Sequence, residues 1–233
     1  MKKLLIVAIV FGLALQANAQ VSRFLETGKS GLGIQALGGL GEGYQSYGGR
    51  IGGSFKGILD AEFLYTHQLQ DGEFNHLITD QSTYDYYEGK LTWWMFRKPV
   101  SPFLDVNLGL FGLFETGLFK DYLFINSETG LEREYKRFVG GTVGFEASVN
   151  LRLDEHWSLQ PSFYMGYDFG KDFETESGQD YQSGYGGAVS ITGVALTRKM
   201  ANGSVFYALA QQHYWTYGTY FMYELALGYV FAF

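Results

Sequence analysis

Glu224-Leu225-Ala226-Leu227-Gly228-Tyr229-Val230-Phe231-Ala232-Phe233 is the stretch that decides how this chain folds. Leu225, Leu227, Tyr229, Phe231 and Phe233 share one face at period two, and Glu224, Ala226, Gly228 and Ala232 share the other. In water, an exposed apolar strand of this kind invites aggregation. In a closed barrel embedded in lipid it has a place: the face bearing Phe233 meets hydrocarbon, and the opposite face looks into a polar lumen.

The other end of the sequence agrees with a protein that leaves the cytoplasm. Lys2 and Lys3 precede the apolar run Leu4 to Leu15, which is followed by Ala17-Asn18-Ala19. A charged n-region, an h-region and an A-x-A site predict a signal peptide over residues 1–19, leaving 20–233 as one domain. The apolar run is about a dozen residues, short of the roughly 20 that a membrane-spanning helix needs. There is no cysteine, hence neither a lipobox nor a disulfide framework.

Composition narrows the class. Removing Lys2 and Lys3 takes the net charge from −7 to −9, which argues against nucleic acid as a partner, because phosphate contacts need clustered Lys and Arg. The chain holds 32 Gly, 18 Tyr and 20 Phe but 3 Pro, a balance suited to curved strands and aromatic girdles. Mean hydropathy is near zero, as expected when every second residue of each strand is polar.

Alternating stretches recur between punctuating turns and predict ten antiparallel strands closing a transmembrane β-barrel, with eight as the alternative if one hairpin is misread. The predicted strands cover 31–40, 47–55, 58–69, 86–96, 103–115, 138–151, 157–169, 185–197, 204–212 and 219–233. Connections at 56–57, 97–101, 152–156 and 198–203 are short. Those at 70–83, 116–136 and 170–183 are long and polar, and are expected as loops. Short turns belong to the periplasmic side and long loops to the outside, which puts both termini in the periplasm. Trp93, Trp94 and Trp157 fall near the turns and Trp215 near the far rim, as interfacial belts would require.

With the signal ending in Ala17-Asn18-Ala19, the alternating strands and the closing Tyr229, Phe231 and Phe233, the chain resembles the small bacterial outer-membrane β-barrel proteins. The resemblance implies an outer-membrane location among lipids. It also implies that Tyr229, Phe231 and Phe233 form the terminal signal read by the barrel-assembly machinery. The fold hosts pores, anchors, adhesins and lipid-modifying enzymes, so it does not fix a task.

Inward positions are predicted to hold Arg50, Lys56, Asp60, Glu62, Glu88, Lys90, Asp105, Glu146 and Glu224. A lumen of this width has to pair such charges, since unpaired desolvated charge is costly. Arg50 is expected to pair with Glu62, and Lys90 with Glu88 or Glu224. The expected role is non-enzymatic, structural or surface-exposed, with a plugged or narrow lumen; a small porin-like channel is the alternative, and a lipid-modifying enzyme at the rim the second. His67 and His213 sit where such an enzyme would work. His213-Tyr214-Trp215 resembles the His-x-Ser of lipid A deacylases, but Trp215 stands in place of the serine nucleophile. No catalytic residue, cofactor or metal site is predicted. The acidic stretch Asp168, Asp172, Glu174 and Glu176 is expected as solvated loop charge.

Overall fold

The computed structural model describes residues 24–25, 28–41, 43–71, 81–125, 130–176, 178–215 and 221–233. The predicted signal peptide lies outside them. Among the described residues eleven strands follow in chain order: β1 (Gly31–Gly41), β2 (Tyr44–Phe55), β3 (Leu59–Asp71), β4 (Gln81–Ser101), β5 (Leu104–Lys120), β6 (Leu123–Ile125), β7 (Glu132–Arg152), β8 (Trp157–Glu176), β9 (Gln179–Lys199), β10 (Val205–Trp215) and β11 (Phe221–Ala232). All pairings are antiparallel. β5 pairs directly with β7, and β6 is a three-residue flap on β7. β1 pairs with both β2 and β11, so ten strands form a closed ring.

Closure is tied off beside the opening stretch. Phe233 N–H donates to Ser30 O at 3.0 Å, and Ser30 N–H donates back to Phe233 O at 3.3 Å. Leu225, Leu227, Phe231 and Phe233 point outward, Phe233 being 73% exposed, whereas Glu224, Ala226 and Val230 are buried inside. The same alternation runs round the ring. Ile51, Phe63, Leu91, Phe114, Val143 and Tyr167 lie on the outside, and the positions between them face in. An apolar exterior around a polar interior fits lipid and not water.

The strands run further than the sequence suggested. β4, β7 and β9 have 21 residues each and β8 has 20. A tilted strand crosses a bilayer in about 9–11 residues. Much of the segments 70–83, 116–136 and 170–183, expected as loops, is therefore paired strand, within the described residues. Beyond the lipid band both faces of a strand turn polar, so the alternation that reveals a strand fades while the ladder of backbone hydrogen bonds continues.

Lys56 shows what the turns do. Lys56 and Gly57 have φ of 51° and 61°, and Ile58 N–H donates to Phe55 O at 2.9 Å. Positive φ at both central residues is the type I′ hairpin, whose twist matches the flanking strands. This turn lifts Lys56 out of the expected lumen: it is exposed, with Nζ 5.2 Å from the Phe55 ring centroid.

A bulge after Trp94 changes the phase of β4. Trp93 faces out as expected, but Trp94, also expected in the belt, is buried and donates Nε1–H to Asp60 Oδ2 at 3.1 Å. Consecutive strand residues point to opposite faces, so both could not lie in the belt. Met95 and Phe96 then both face out, and Arg97 turns inward.

Candidate functional site

The lumen has three levels. At the turn end Phe24 and Leu25 are packed inside the ring with Leu64, Val205, Tyr207 and Val230. Phe24 stacks on Tyr207 with centroids 4.1 Å apart. Arg97 secures this insert by donating from Nη2 to Leu25 O at 2.5 Å and from Nη1 to Gly57 O at 2.7 Å. Tyr207 lies flat over Gly228: a Cβ there would sit 2.2 Å from the tyrosine ring. Asp105 lies at the turn-end rim, held by Arg152 Nη2 at 2.6 Å and Asn150 Nδ2 at 3.2 Å.

The middle level is charged and filled. Lys90 Nζ meets Glu146 Oε2 at 3.2 Å, both side chains almost wholly buried. Glu88 and Glu224, the expected partners of Lys90, lie elsewhere. Lys90 aligns with Leu113, which aligns with Thr142, and Glu146 lies further along β7. The contact is thus made by the length of the lysine side chain, which runs along the lumen from the level of Thr142 to Glu146. Lys90 Nζ also lies 4.7 Å from the ring centroids of both Phe111 and Tyr164, which stack on each other at 4.1 Å. Arg50 is buried within electrostatic reach of Glu62, Glu88 and Glu224, so Glu62 is one of several counter-charges. Asp60 and Glu62 are buried as well.

Above this floor, toward the loop end, lies a cavity of about 550 Å³. Five carboxyl groups line it: Glu88, Glu115, Asp168, Asp172 and Glu224. Aromatic rings make much of the wall, among them Tyr84, Tyr86, Tyr164, Tyr185 and Phe138. Tyr86 Oη–H sits between two carboxylates, 2.7 Å from Glu115 Oε2 and 3.1 Å from Glu88 Oε2. Tyr185 Oη–H reaches Glu115 Oε1 at 3.5 Å, and Thr142 Oγ1–H donates to Asp168 Oδ1 at 3.1 Å. Glycines 140 and 170 give Tyr185 its room, since a Cβ at either would lie within 2.4 Å of its hydroxyl oxygen.

Several groups here escaped the sequence reading. Asp168 faces inward as its parity within the predicted strand 157–169 requires, and Glu115, expected at a strand end, and Asp172, expected in a loop, face the cavity with it. Glu174 and Glu176 continue the inward face of β8 and bind Arg133 at 2.8 and 3.5 Å. The signal was present in the spacing, because Asp168, Asp172, Glu174 and Glu176 keep one parity with Ser162 and Tyr164. Phe111 and Tyr207 were missed because apolar inward residues break the rule that the lumen side is polar.

The two rim histidines separate. His213 is buried in the cavity wall, with Gln211 Nε2 at 3.0 Å from its Nε2, and Gln211 also donates to Glu224. His67 faces outward instead, with Nδ1 2.8 Å from Asp85 Oδ1, which also accepts the Tyr65 hydroxyl at 2.8 Å. His76 and the side chain of Trp215 lie outside the described residues. Among the described residues no three His, Asp or Glu side chains converge as metal ligands would.

No protein family's sequence profile matches the chain, and no curated protein is similar in sequence. Solved structures are similar in fold. The translocator domain of the autotransporter NalP from Neisseria meningitidis superposes with TM-score 0.50 at 11% identity, covering 100% of this chain and 95% of that one. The outer membrane protease OmpT from Escherichia coli gives 0.46 at 10% identity, covering 88% and 96%. An outer membrane channel from Pseudomonas putida F1 gives 0.42 at 11% identity, covering 94% and 98%. At such identities the likeness is one of fold: a closed antiparallel β-barrel of the kind built by outer-membrane proteins.

Proposed function

We propose that this chain is an integral protein of the bacterial outer membrane with a closed lumen. In this reading it is non-enzymatic, its termini lie in the periplasm and its loop end faces outward, presenting the cavity to the exterior. Its surroundings are outer-membrane lipids, and Tyr229, Phe231 and Phe233 are what the assembly machinery engages. The apolar exterior supports residence in lipid, and the likeness to outer-membrane barrels supports which membrane. The short turns on one side and longer hairpins on the other support the orientation.

One observation carries the closed lumen. Glu146 is 0% exposed, Thr92 and Asp60 are each 1% exposed, and all three point into the ring. A conducting path has to wet the charged groups along it, and these are sealed above by Phe111 and Tyr164 and below by Phe24 and Tyr207. Recordings in planar bilayers test this. Purified wild-type protein is expected to give no discrete conductance steps, while alanine at all four of Phe24, Tyr207, Phe111 and Tyr164, which removes both seals, is expected to give them. Steps from the wild type would replace this reading with that of a channel.

A further inference from the structure

We propose that the loop-end cavity is a binding site for an organic cation, an ammonium or amidinium group carried on an apolar body. The inference goes beyond the closed lumen and does not depend on it.

Size and shape come first. A cavity of about 550 Å³ falls within the range of about 300–1,000 Å³ typical of small-molecule sites. Its floor is the packed middle level, so a ligand entering from the loop end meets a fixed surface.

Charge decides the class of ligand. Five carboxyl groups line the cavity against one guanidinium, that of Arg50, which already lies among Glu62, Glu88 and Glu224. Glu115 and Asp168 are close enough to interact through their charges. Two carboxyl groups sharing one place repel when both are ionised, and a cation between them removes that repulsion. Rings supply the second element. Tyr86, Phe138 and Tyr185 stand around Glu115, with Phe138 centroids 6.1 Å from Tyr86 and 6.4 Å from Tyr185. Ring faces beside carboxylates attract an ammonium through the ring quadrupole as well as by charge.

The chain uses the same chemistry one level lower. Lys90 holds its ammonium 4.7 Å from the ring centroids of both Phe111 and Tyr164 and against Glu146. The cavity repeats this combination of rings and carboxylates with no lysine among its lining residues.

A further sign comes from two hydroxyls. Ser46 and Thr66 line the cavity, are 6% and 4% exposed, and have hydroxyl oxygens without a hydrogen-bond partner among the described residues. Buried hydroxyls are ordinarily satisfied, so a pair of them on a cavity wall marks positions where a ligand donor or acceptor would sit.

The experiment is calorimetric titration of the full barrel in nanodiscs of zwitterionic lipid. The probes are benzyltrimethylammonium, benzyl alcohol and benzoate. Saturable one-to-one binding of the ammonium is expected, with the alcohol at least about tenfold weaker and benzoate not binding. Glu115→Gln with Asp168→Asn should weaken the ammonium at least about tenfold, with the folded barrel confirmed by its heat-modifiable gel mobility. Tyr185→Leu, at the rim, should weaken it several-fold and stands in if the carboxamide pair does not fold. Equal affinity for the alcohol, preference for benzoate, or ammonium binding unmoved by these variants would overturn the proposal. Silent bilayers without ammonium binding would leave the closed lumen standing and remove the site; conductance with binding would do the reverse.

Discussion

Lys90 and Glu146 form an ion pair at the centre of the barrel, 3.2 Å apart, on strands separated by β5, with side-chain exposures of 3% and 0%. A pair this deep is held by geometry, because each ion has given up its hydration for the other and for its neighbours. Lys90→Met alone leaves Glu146 buried beside two rings and is expected to cost about 3–5 kcal/mol. Lys90→Met with Glu146→Leu should recover most of that loss. Urea unfolding of the four proteins of this cycle in lipid vesicles, followed by gel mobility, measures the coupling; simple additivity of the two substitutions would contradict the pairing.

The outward face is checked by adjacent residues of β7. Val143 is 55% exposed on the exterior, and Thr142 beside it is 3% exposed inside. Val143→Arg is expected to destabilise the inserted barrel by about 2–4 kcal/mol if it lies near the bilayer midplane. Thr142→Ser should cost much less. Folding yields into vesicles of defined lipid give the comparison.

Gly228 and Tyr207 are directly paired neighbours on β11 and β10. A methyl group at 228 has no room while the ring lies across it, so Gly228→Ala should lower the unfolding midpoint clearly. In a Tyr207→Ala background the same change should be nearly silent, because the ring it collides with is gone. An equal effect in both backgrounds would point to backbone conformation as the cause.

Asp154 anchors the turn between β7 and β8. Its Oδ1 accepts N–H bonds from His156 at 2.7 Å and Trp157 at 2.8 Å, and these donors hold the carboxyl below the usual carboxylate range. A carboxyl with a depressed folded-state pKa stabilises the fold above its unfolded pKa, about 3.9, and loses that contribution as pH falls through the folded value. The stability gap between wild type and Asp154→Ala should therefore be flat from about pH 8 to pH 5 and close below about pH 4. Thermal gel-shift midpoints across that range provide the test.

Much of this architecture could be read from period two alone. All ten barrel strands, the Lys56-Gly57 turn and the inward setting of Arg50, Glu62, Lys90 and Glu146 follow from alternation and punctuation. The misplacements have physical causes. Trp94 was assigned by its height along the strand and not by its parity, and the bulge beyond it hides the inward turn of Arg97. Glu115 and Asp168 belong to different strands, and which residues meet across a lumen depends on the stagger of the ring. Stagger is a property of the closed sheet and leaves no local mark.

The pairing of β1 with β11 has a consequence for how the molecule is made. These two strands come from opposite ends of the sequence, so every hairpin can form before the ring does. Until β11 arrives, the growing sheet carries two raw edges of unpaired backbone N–H and C=O groups, each costing several kcal/mol if left in hydrocarbon. A half-built barrel has no stable resting place in the bilayer. Pairing of β1 with β11 removes both edges in one step, so closure and stability arrive together.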